Sequence, residues 1–468
     1  MWAMSNLPFA TAADVAAIPI DTVLQDEWSE YARELTPQGQ GFAAALNFSA
    51  QPGRWLSVPG PDGAIERVIF GVAQSLPVLA HGVLASALPD GTYTLRRTPS
   101  EMGMELAAIA WALGSYRFSR YRARRVPCPR LTPPQTVDMA EVERIARAVY
   151  LVRDLVNTPA DDLGPAALHA SAEEVAKEHG AAFEAIVGED LLSQNFPLIH
   201  AVGRAASQAP RLIKISWGDP SAPRITLVGK GVTFDSGGLD IKPASGMRIM
   251  KKDMGGAAHA LALGQMIMSA GMPVHLEVIL AIVENAISGA SMRPGDIFKS
   301  RKGLTVEIDN TDAEGRLILA DALTLACEGK PELLLDFATL TGAARTALGP
   351  DLPPLFTDDD DLAADLAVGS RAVADPIWRL PLWMAYDADM DSPIADIKNT
   401  GDAAMAGAIY GGLFLKRFVD IKSWAHFDVY AWAPKDRAAR PTGGEAQAIR
   451  ACWHVLRTRY PNRASHNI

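Results

Sequence analysis

The strongest constraint on this 468-residue chain is a layout that occurs three times between residues 224 and 344. A short apolar run leads into a loop crowded with glycine, acidic and hydroxyl residues. Arg224-Ile-Thr-Leu-Val228 runs into Gly229-Lys-Gly-Val-Thr-Phe-Asp-Ser-Gly-Gly238. Leu304-Thr-Val-Glu-Ile308 runs into Asp309-Asn-Thr-Asp-Ala-Glu-Gly-Arg316, and Leu333 to Phe337 runs into Ala338-Thr-Leu-Thr-Gly-Ala-Ala344. Short β-prone runs that alternate with helical stretches specify an α/β domain with a largely parallel central sheet flanked by helices. In such sheets ligands bind just beyond the carboxyl ends of the strands. Glycine at those ends lets backbone approach a ligand. The three loops are therefore expected to face one site.

A second feature divides the chain. Pro127-Cys-Pro-Arg-Leu-Thr-Pro-Pro134 holds four prolines in eight residues, too many for a helix or a central strand. Read as a linker, it separates a smaller N-terminal α/β domain (1–135) from a catalytic domain (136–468). That division suits a chain longer than one core usually holds. In the first part, 66–73 reads as a strand and 101–118 as a helix. No catalytic set assembles there, so its role stays undefined. In the second part, Val142, Ile145, Ala146, Val149 and Val152 fall on one face of a helix over 139–155. The acidic run Asp358 to Asp361 reads as an exposed turn.

Charge and cysteine usage narrow the function classes. The formal net charge of −10 argues against nucleic acid as the main partner. Arg120, Arg122, Arg124, Arg125 and Arg130 cluster, and read as a solvated linker face. Three widely spaced cysteines give neither a disulfide framework nor a paired zinc site. Residues 1–10 lack the pattern of a signal peptide, and no apolar run approaches the roughly 20 residues of a membrane span. The expected setting is the cytoplasm.

The loop chemistry is unusual. Asp235, Asp253, Asp312 and Glu314 all fall in or beside the glycine-rich loops. At about 4 Å and an effective dielectric near 20, each like-charged pair costs on the order of 4 kcal/mol. Four converging carboxylates need cations, and two dications would offset them; carboxylate oxygens suit Mg²⁺, Mn²⁺ and Zn²⁺. Gly229-Lys-Gly-Val-Thr lacks the glycine five residues upstream that a phosphate loop requires. No His-Glu-x-x-His helix is present, and His259 and His275 read as core or surface residues. Leu317, Ala320, Leu323, Leu325 and Ala326 predict a helix beginning near Gly315. A helix start with Arg316 beside it is an anion site.

These segments, together with Met250-Lys-Lys-Asp-Met-Gly-Gly-Ala-Ala258, resemble the leucyl aminopeptidase (cytosol aminopeptidase) family of two-metal peptidases. The likeness runs from about Arg153-Asp-Leu-Val-Asn-Thr-Pro159 to Trp424-Ala-His-Phe-Asp428, and Asn310-Thr-Asp-Ala-Glu-Gly-Arg-Leu317 is its most specific motif. The resemblance implies two divalent ions, Mn²⁺ or Zn²⁺ and also Mg²⁺ or Co²⁺, held by Lys230, Asp235, Asp253, Asp312 and Glu314. Asp235 and Glu314 would touch both ions, Lys230 and Asp253 would complete one site, and Asp312 the other. It implies Lys242 and Arg316 as the catalytic side chains, with bicarbonate at Arg316 as general base. Met250, Thr339, Leu340 and Gly342 would surround the first substrate side chain. Peptides with a free N-terminus are the implied substrates, because one metal can hold the α-amine, and a homohexamer is the implied assembly.

Two departures from the family pattern bear on selectivity. Tyr430 follows His426-Phe-Asp-Val where a small residue is common: either it fills part of the pocket, which shifts the expected preference toward smaller or polar residues, or it points into the core behind the pocket and leaves the preference unchanged. Lys252 adds a positive charge beside Asp253, which is expected to weaken the nearby metal site slightly. Two other readings are a DNA-binding or regulatory protein built on the peptidase fold, and another two-metal hydrolase such as a phosphatase. The complete ligand set and the negative net charge weigh against the first as the sole role.

Overall fold

The structure, a computed structural model, describes residues 7–10, 17–73, 79–99, 103–122, 127–401 and 405–461. The chain packs as two compact units, Met1–Tyr150 with Lys435–Thr442, and Leu151–Pro434 with Gly443–Ile468.

In the first unit five strands form one sheet: β1 (Ile18–Leu24), β2 (Trp55–Pro59), β3 (Ile65–Val72), β4 (Thr92–Arg97) and β5 (Arg130–Thr132), in the order β2-β3-β1-β4-β5. β1 pairs in parallel with β3 and β4, and β2 runs antiparallel to β3. Val23, Tyr31, Phe48, Leu56 and Ile69 pack into its core. The strand expected at 66–73 is β3, and the helix expected at 101–118 is Met104–Ser115. The proline-rich stretch is more than a linker. Between Pro129 and Pro133 it supplies β5, an edge strand, where a missing N–H breaks no ladder. Arg120, Arg122 and Arg130 are exposed, whereas Arg124 and Arg125 lie outside the described residues.

The second unit is built on eight strands. In chain order they are β6 (Ala182–Val187), β7 (Arg211–Trp217), β8 (Arg224–Asp235), β9 (His275–Asn285), β12 (Leu333–Ala338), β13 (Pro354–Phe356), β14 (Trp378–Arg379) and β16 (Trp424–Asp428). Their order is β14-β13-β16-β12-β8-β9-β7-β6. The central four, β16, β12, β8 and β9, are parallel, and antiparallel pairs begin on either side. β8 and β9 are almost wholly buried, as strands covered on both faces must be. The helix Gly255–Ser269 lies hard against the sheet: a Cβ on Gly256 would sit 2.1 Å from the Phe337 carbonyl oxygen. The helix Glu314–Glu328 buries Leu317, Ile318, Leu319 and Leu323 in the core with Val228, Ile279, Leu334 and Phe414. Each such side chain contributes about 1.5–3 kcal/mol, so Leu319→Ala would cost about 2–5 kcal/mol.

Three sequence expectations change. The run at 304–308 is not in the large sheet: β11 (Thr305–Glu307) lies between β10 (Ile297–Lys299) and β15 (Ile397–Lys398) in a sheet of three. The strand expected at 224–228 continues to Asp235, so Lys230 and Asp235 belong to strand rather than loop. The run Asp358 to Asp361 is not a simple turn. Asp359 accepts a hydrogen bond from Leu362 N at 3.0 Å and caps the helix Asp360–Ala372, whose first turn holds Asp360 and Asp361.

Candidate active site

Side chains on a strand alternate between faces, so Lys230 and Asp235, five residues apart, would point to opposite sides of a regular β8. The pairing with β9 shifts register between Val232 and Asp235, where three steps on β8 match two on β9. That extra residue is a bulge, and it returns Asp235 to the face of Lys230. Asp253 sits in a tight 3₁₀ turn, Met250–Met254, immediately before the helix Gly255–Ser269. Asp312 lies in the loop after β11, and Glu314 and Arg316 occupy the first turn of the next helix.

These groups meet. Ligand oxygens of Asp235, Asp312 and Glu314 all lie within 4.8 Å of one another. Lys230 Nζ is 2.8 Å from Asp253 Oδ2 and 3.0 Å from Glu314 Oε1, and donates to the Thr339 carbonyl at 2.9 Å. Lys242 Nζ is 2.7 Å from Asp235 Oδ2 and pairs closely with Asp312. Asp253 Oδ2 and Glu314 Oε1 are buried, and although both lie within ion-pairing distance of Lys230, neither accepts a well-formed hydrogen bond. Buried carboxylate oxygens left in that state, ringed by further oxygens and one amine, fit hard or borderline divalent cations.

Residues with no supporting role legible in the sequence hold this set in place. Asn285, at the end of β9, donates to Asp235 Oδ1 at 2.8 Å and to the Thr311 carbonyl at 3.2 Å. Asp240 accepts from Thr311 N at 2.8 Å, and Thr311 Oγ1 donates to the Gly237 carbonyl at 2.6 Å, tying the loop after β8 to the loop after β11. Asn399 accepts from Asp309 N at 2.8 Å and donates to the Asn310 carbonyl at 2.7 Å. Its own carbonyl accepts from Arg316 Nη1 at 2.7 Å. Thr339 Oγ1 donates to Asp253 Oδ1 at 2.7 Å. The motif at Arg153 is structural: Arg153 is buried and pairs with Glu445 at 2.9 Å. His259 is a core residue, with Nδ1 against the Gly255 carbonyl at 2.6 Å and Nε2 against Gln447 N at 2.9 Å. His275 is buried at the start of β9.

Electrostatics mark the centre as strained in charge. Burial, aided by Asp235 and opposed by Lys230, pushes Glu314 up to about 8. Burial and Asp235 push Asp312 up to about 6. Burial would raise Asp253 too, but Lys230 and Lys252 outweigh it and hold the group below the usual carboxylate range. Lys230 and Lys242 are raised, because the surrounding carboxylates outweigh burial. Burial lowers Arg316 to about 10, which leaves it cationic at neutral pH. Arg316 forms no ion pair among the described residues, and its buried Nε has no partner.

The cavity over these groups is lined also by Met250, Thr339, Leu340 and Gly342, and by Lys252 and Arg345. Tyr430 does not line it. Its half-buried ring stands one layer back, 5.2 Å from Lys252 Nζ and 4.8 Å from Arg345 Cζ. The effect expected of Tyr430 as a bulky wall is therefore replaced by the two cations in front of it.

Comparison with known proteins places this geometry. Residues 150–453 match the catalytic domain of the cytosol aminopeptidase family, and residues 18–134 match the N-terminal domain of M17 aminopeptidases. The N-terminal match attaches to a segment whose sequence offered no motif. A probable cytosol aminopeptidase of Roseiflexus castenholzii is 40% identical over 74% of this chain and 74% of its own length. The crystal structure of the cytosol aminopeptidase of Coxiella burnetii superposes with a TM-score of 0.93 at 46% identity, over 97% of this chain and 99% of that one. The bottromycin maturation enzyme BotP in complex with Mn gives 0.84 at 31% identity, over 95% of this chain and all of that one. With both domains matched and the acidic centre at the carboxyl ends of the sheet, the chain belongs to the cytosol aminopeptidase family, a family of hydrolases.

Proposed function

We propose that the protein is a two-metal aminopeptidase that removes N-terminal residues from peptides with a free α-amine. The observation that supports this most is the gathering of Asp235, Asp253, Asp312 and Glu314 around Lys230, with two buried carboxylate oxygens lacking hydrogen bonds. Asp235 and Glu314 would be shared between two sites, Lys230 and Asp253 completing one and Asp312 the other. Divalent ions there, Mn²⁺, Zn²⁺, Mg²⁺ or Co²⁺, would supply charge to polarise a peptide carbonyl and activate water near neutral pH.

The chain's own groups do the rest. Beside a dication Lys230 would give up its proton and could hold the ion through its neutral amine. Lys242, part-buried at the mouth of the centre, is placed to hydrogen-bond an oxyanion. Arg316, anchored at one end by Asn399 and free at Nε, presents a cation at a helix start, where bicarbonate would sit as general base. Met250, Thr339, Leu340 and Gly342 would border the first side chain.

A cytoplasmic homohexamer completes the proposal. Trp378, Trp383, Met384, Ile394 and Met405 are 53–77% exposed, and an assembly would cover such a surface. Among the described residues no helix is long and apolar enough to cross a membrane. The direct test is hydrolysis of aminoacyl anilides: treatment with a chelator should abolish it and added Mn²⁺ or Zn²⁺ should restore it. Full activity of metal-free protein would refute the two-metal reading.

A further inference from the structure

The proposed reaction uses Lys242 and Arg316, yet the same cavity is lined by two more cations, Lys252 and Arg345. Lys252 is 1% exposed, and among the described residues its Nζ has neither a hydrogen bond nor an ion pair. An ammonium withdrawn from water without a counter-ion is costly. Its neighbouring carboxylates are already engaged. Asp253 receives Thr339 Oγ1 and lies against Lys230, and Asp428 receives Leu340 N, Thr341 N and Thr341 Oγ1. Arg345 is equally short of charge partners: its one hydrogen bond is from Nη1 to the Thr341 carbonyl at 3.3 Å. A methyl group on Gly342 would lie 3.5 Å from Arg345 Nη2, so the guanidinium stands beside a position that borders the first side chain.

Tyr430 holds the pair. Its ring lies 5.2 Å from Lys252 Nζ and 4.8 Å from Arg345 Cζ, and its hydroxyl has no partner among the described residues. A ring can hold a cation over its face but cannot neutralise it. Each of the two cations lies within the other's field. The proposed metals do not relieve this. Two dications balance the four carboxylates of the centre, which leaves the single charge of Asp428 against both Lys252 and Arg345 on the substrate side. A built wall of two cations against one carboxylate stays net positive and fits one kind of ligand group, an anion.

We propose that Lys252 and Arg345, backed by Tyr430, form the pocket for an acidic first residue, so that the protein selects N-terminal glutamyl or aspartyl residues over neutral ones. This rests on the aminopeptidase reading and names its substrate class. The carboxylate of the side chain would sit between the ammonium and the guanidinium, while the backbone groups of the same residue face the metal centre.

The test compares isosteres, which removes size from the measurement. With metal-loaded full-length protein, kcat/KM is measured for glutamyl, glutaminyl, aspartyl, asparaginyl and leucyl anilides. The glutamyl-to-glutaminyl ratio should be on the order of tenfold or more, as for a hydrogen-bonded ion pair in a part-buried site, and should shrink as salt is raised. Arg345→Gln and Lys252→Met should each cut that ratio by roughly tenfold. Arg345 is the part-buried member, so its variant remains informative where Lys252→Met fails to fold. Melting temperature and metal content of both variants are measured alongside. A wild-type ratio at or below one, or a ratio unmoved by Arg345→Gln in folded protein, overturns the proposal. Loss of bicarbonate dependence with an unmoved ratio overturns it as well, since the cations would then serve the base. Should no anilide be cleaved, the aminopeptidase reading fails instead. Calorimetry with free L-glutamate against L-glutamine then still reads the pocket: tighter glutamate, weakened by Arg345→Gln, supports it, and equal affinities overturn it.

Discussion

Gly315→Ala tests the placement of Lys230 in this site. Gly315 is the second residue of the helix Glu314–Glu328, and its φ is not in the left-handed region. Alanine is favoured over glycine in a helix by up to about 1 kcal/mol, so local propensity predicts a protein at least as stable. The site predicts the opposite for activity. A Cβ at this position would lie 2.6 Å from Lys230 Cε, 2.7 Å from Cδ and 2.7 Å from Nζ. Ordinary carbon contacts begin near 3.5 Å, so the Lys230 side chain must move by about 1 Å. It has little room, since Nζ is held by the Thr339 carbonyl at 2.9 Å and lies between Asp253 and Glu314. Hydrogen bonds to charged groups are worth about 1.5–3 kcal/mol each, and a 1 Å misplacement in a catalytic constellation costs about 10²-fold in rate. The loss of those buried contacts outweighs the gain in helix propensity, so the expected outcome is a modestly lowered melting temperature with kcat/KM reduced roughly 100-fold. One metal per chain should also be weakened relative to wild type by titration calorimetry. A folded variant with normal turnover and normal metal affinity would show that Lys230 is not needed where the structure puts it.

Asp312→Ala and Glu314→Ala should remain folded, lose nearly all turnover and bind fewer than two metals per chain by elemental analysis. Either variant with both metals and a normal rate contradicts the ligand assignment. His259 should make the fold acid-sensitive. Burial holds its imidazole down at about 4, while the unfolded chain protonates near 6.5, so the neutral ring's contribution is complete above pH 6.5 and is lost as pH falls toward 4. The loss is on the order of 3 kcal/mol, and His259→Gln should flatten the fall in melting temperature over that window; an equally steep fall would refute the assignment. Sedimentation should show a species near six chains, with a stable, active monomer as the refuting result.

Much of the catalytic unit was legible because its strands announce themselves. β8 and β12 are runs of apolar residues that lead into loops of glycine, acid or hydroxyl residues, and a doubly covered parallel strand has few other ways to look. What escaped was set by contacts that sequence does not carry. β11 is only Thr305–Glu307, and whether so short a run joins the large sheet or a side sheet depends on β10 and β15, the latter some ninety residues away. The membership of Asp235 in β8 depends on a bulge, which alternation alone argues against. The first unit hid its order for a similar reason. Its buried Asp21 gathers Tyr31 at 2.5 Å and Arg96, residues with no common spacing.

The site repeats this contrast at the scale of single side chains. Its carboxylates were visible because each sits within a few residues of a glycine-rich strand end. Asn285 and Asn399 were not, and the supporting roles of Asp240 and Thr311 were not, since each acts through hydrogen bonds to a loop reached by folding alone. Lys252 is the instructive case. Adjacency to Asp253 suggested a charge that competes with a metal. In the 3₁₀ turn, neighbouring side chains diverge, and Lys252 faces Tyr430 while Asp253 faces Lys230. From there its field adds to that of Lys230 in holding Asp253 below the usual carboxylate range against burial, and its ammonium borders the substrate cavity. A substitution that removed this charge would therefore act twice, on the readiness of one ligand and on the sign of the pocket. Lys252→Met, which changes both, and Arg345→Gln, which changes only the pocket, are the pair that pulls the two effects apart.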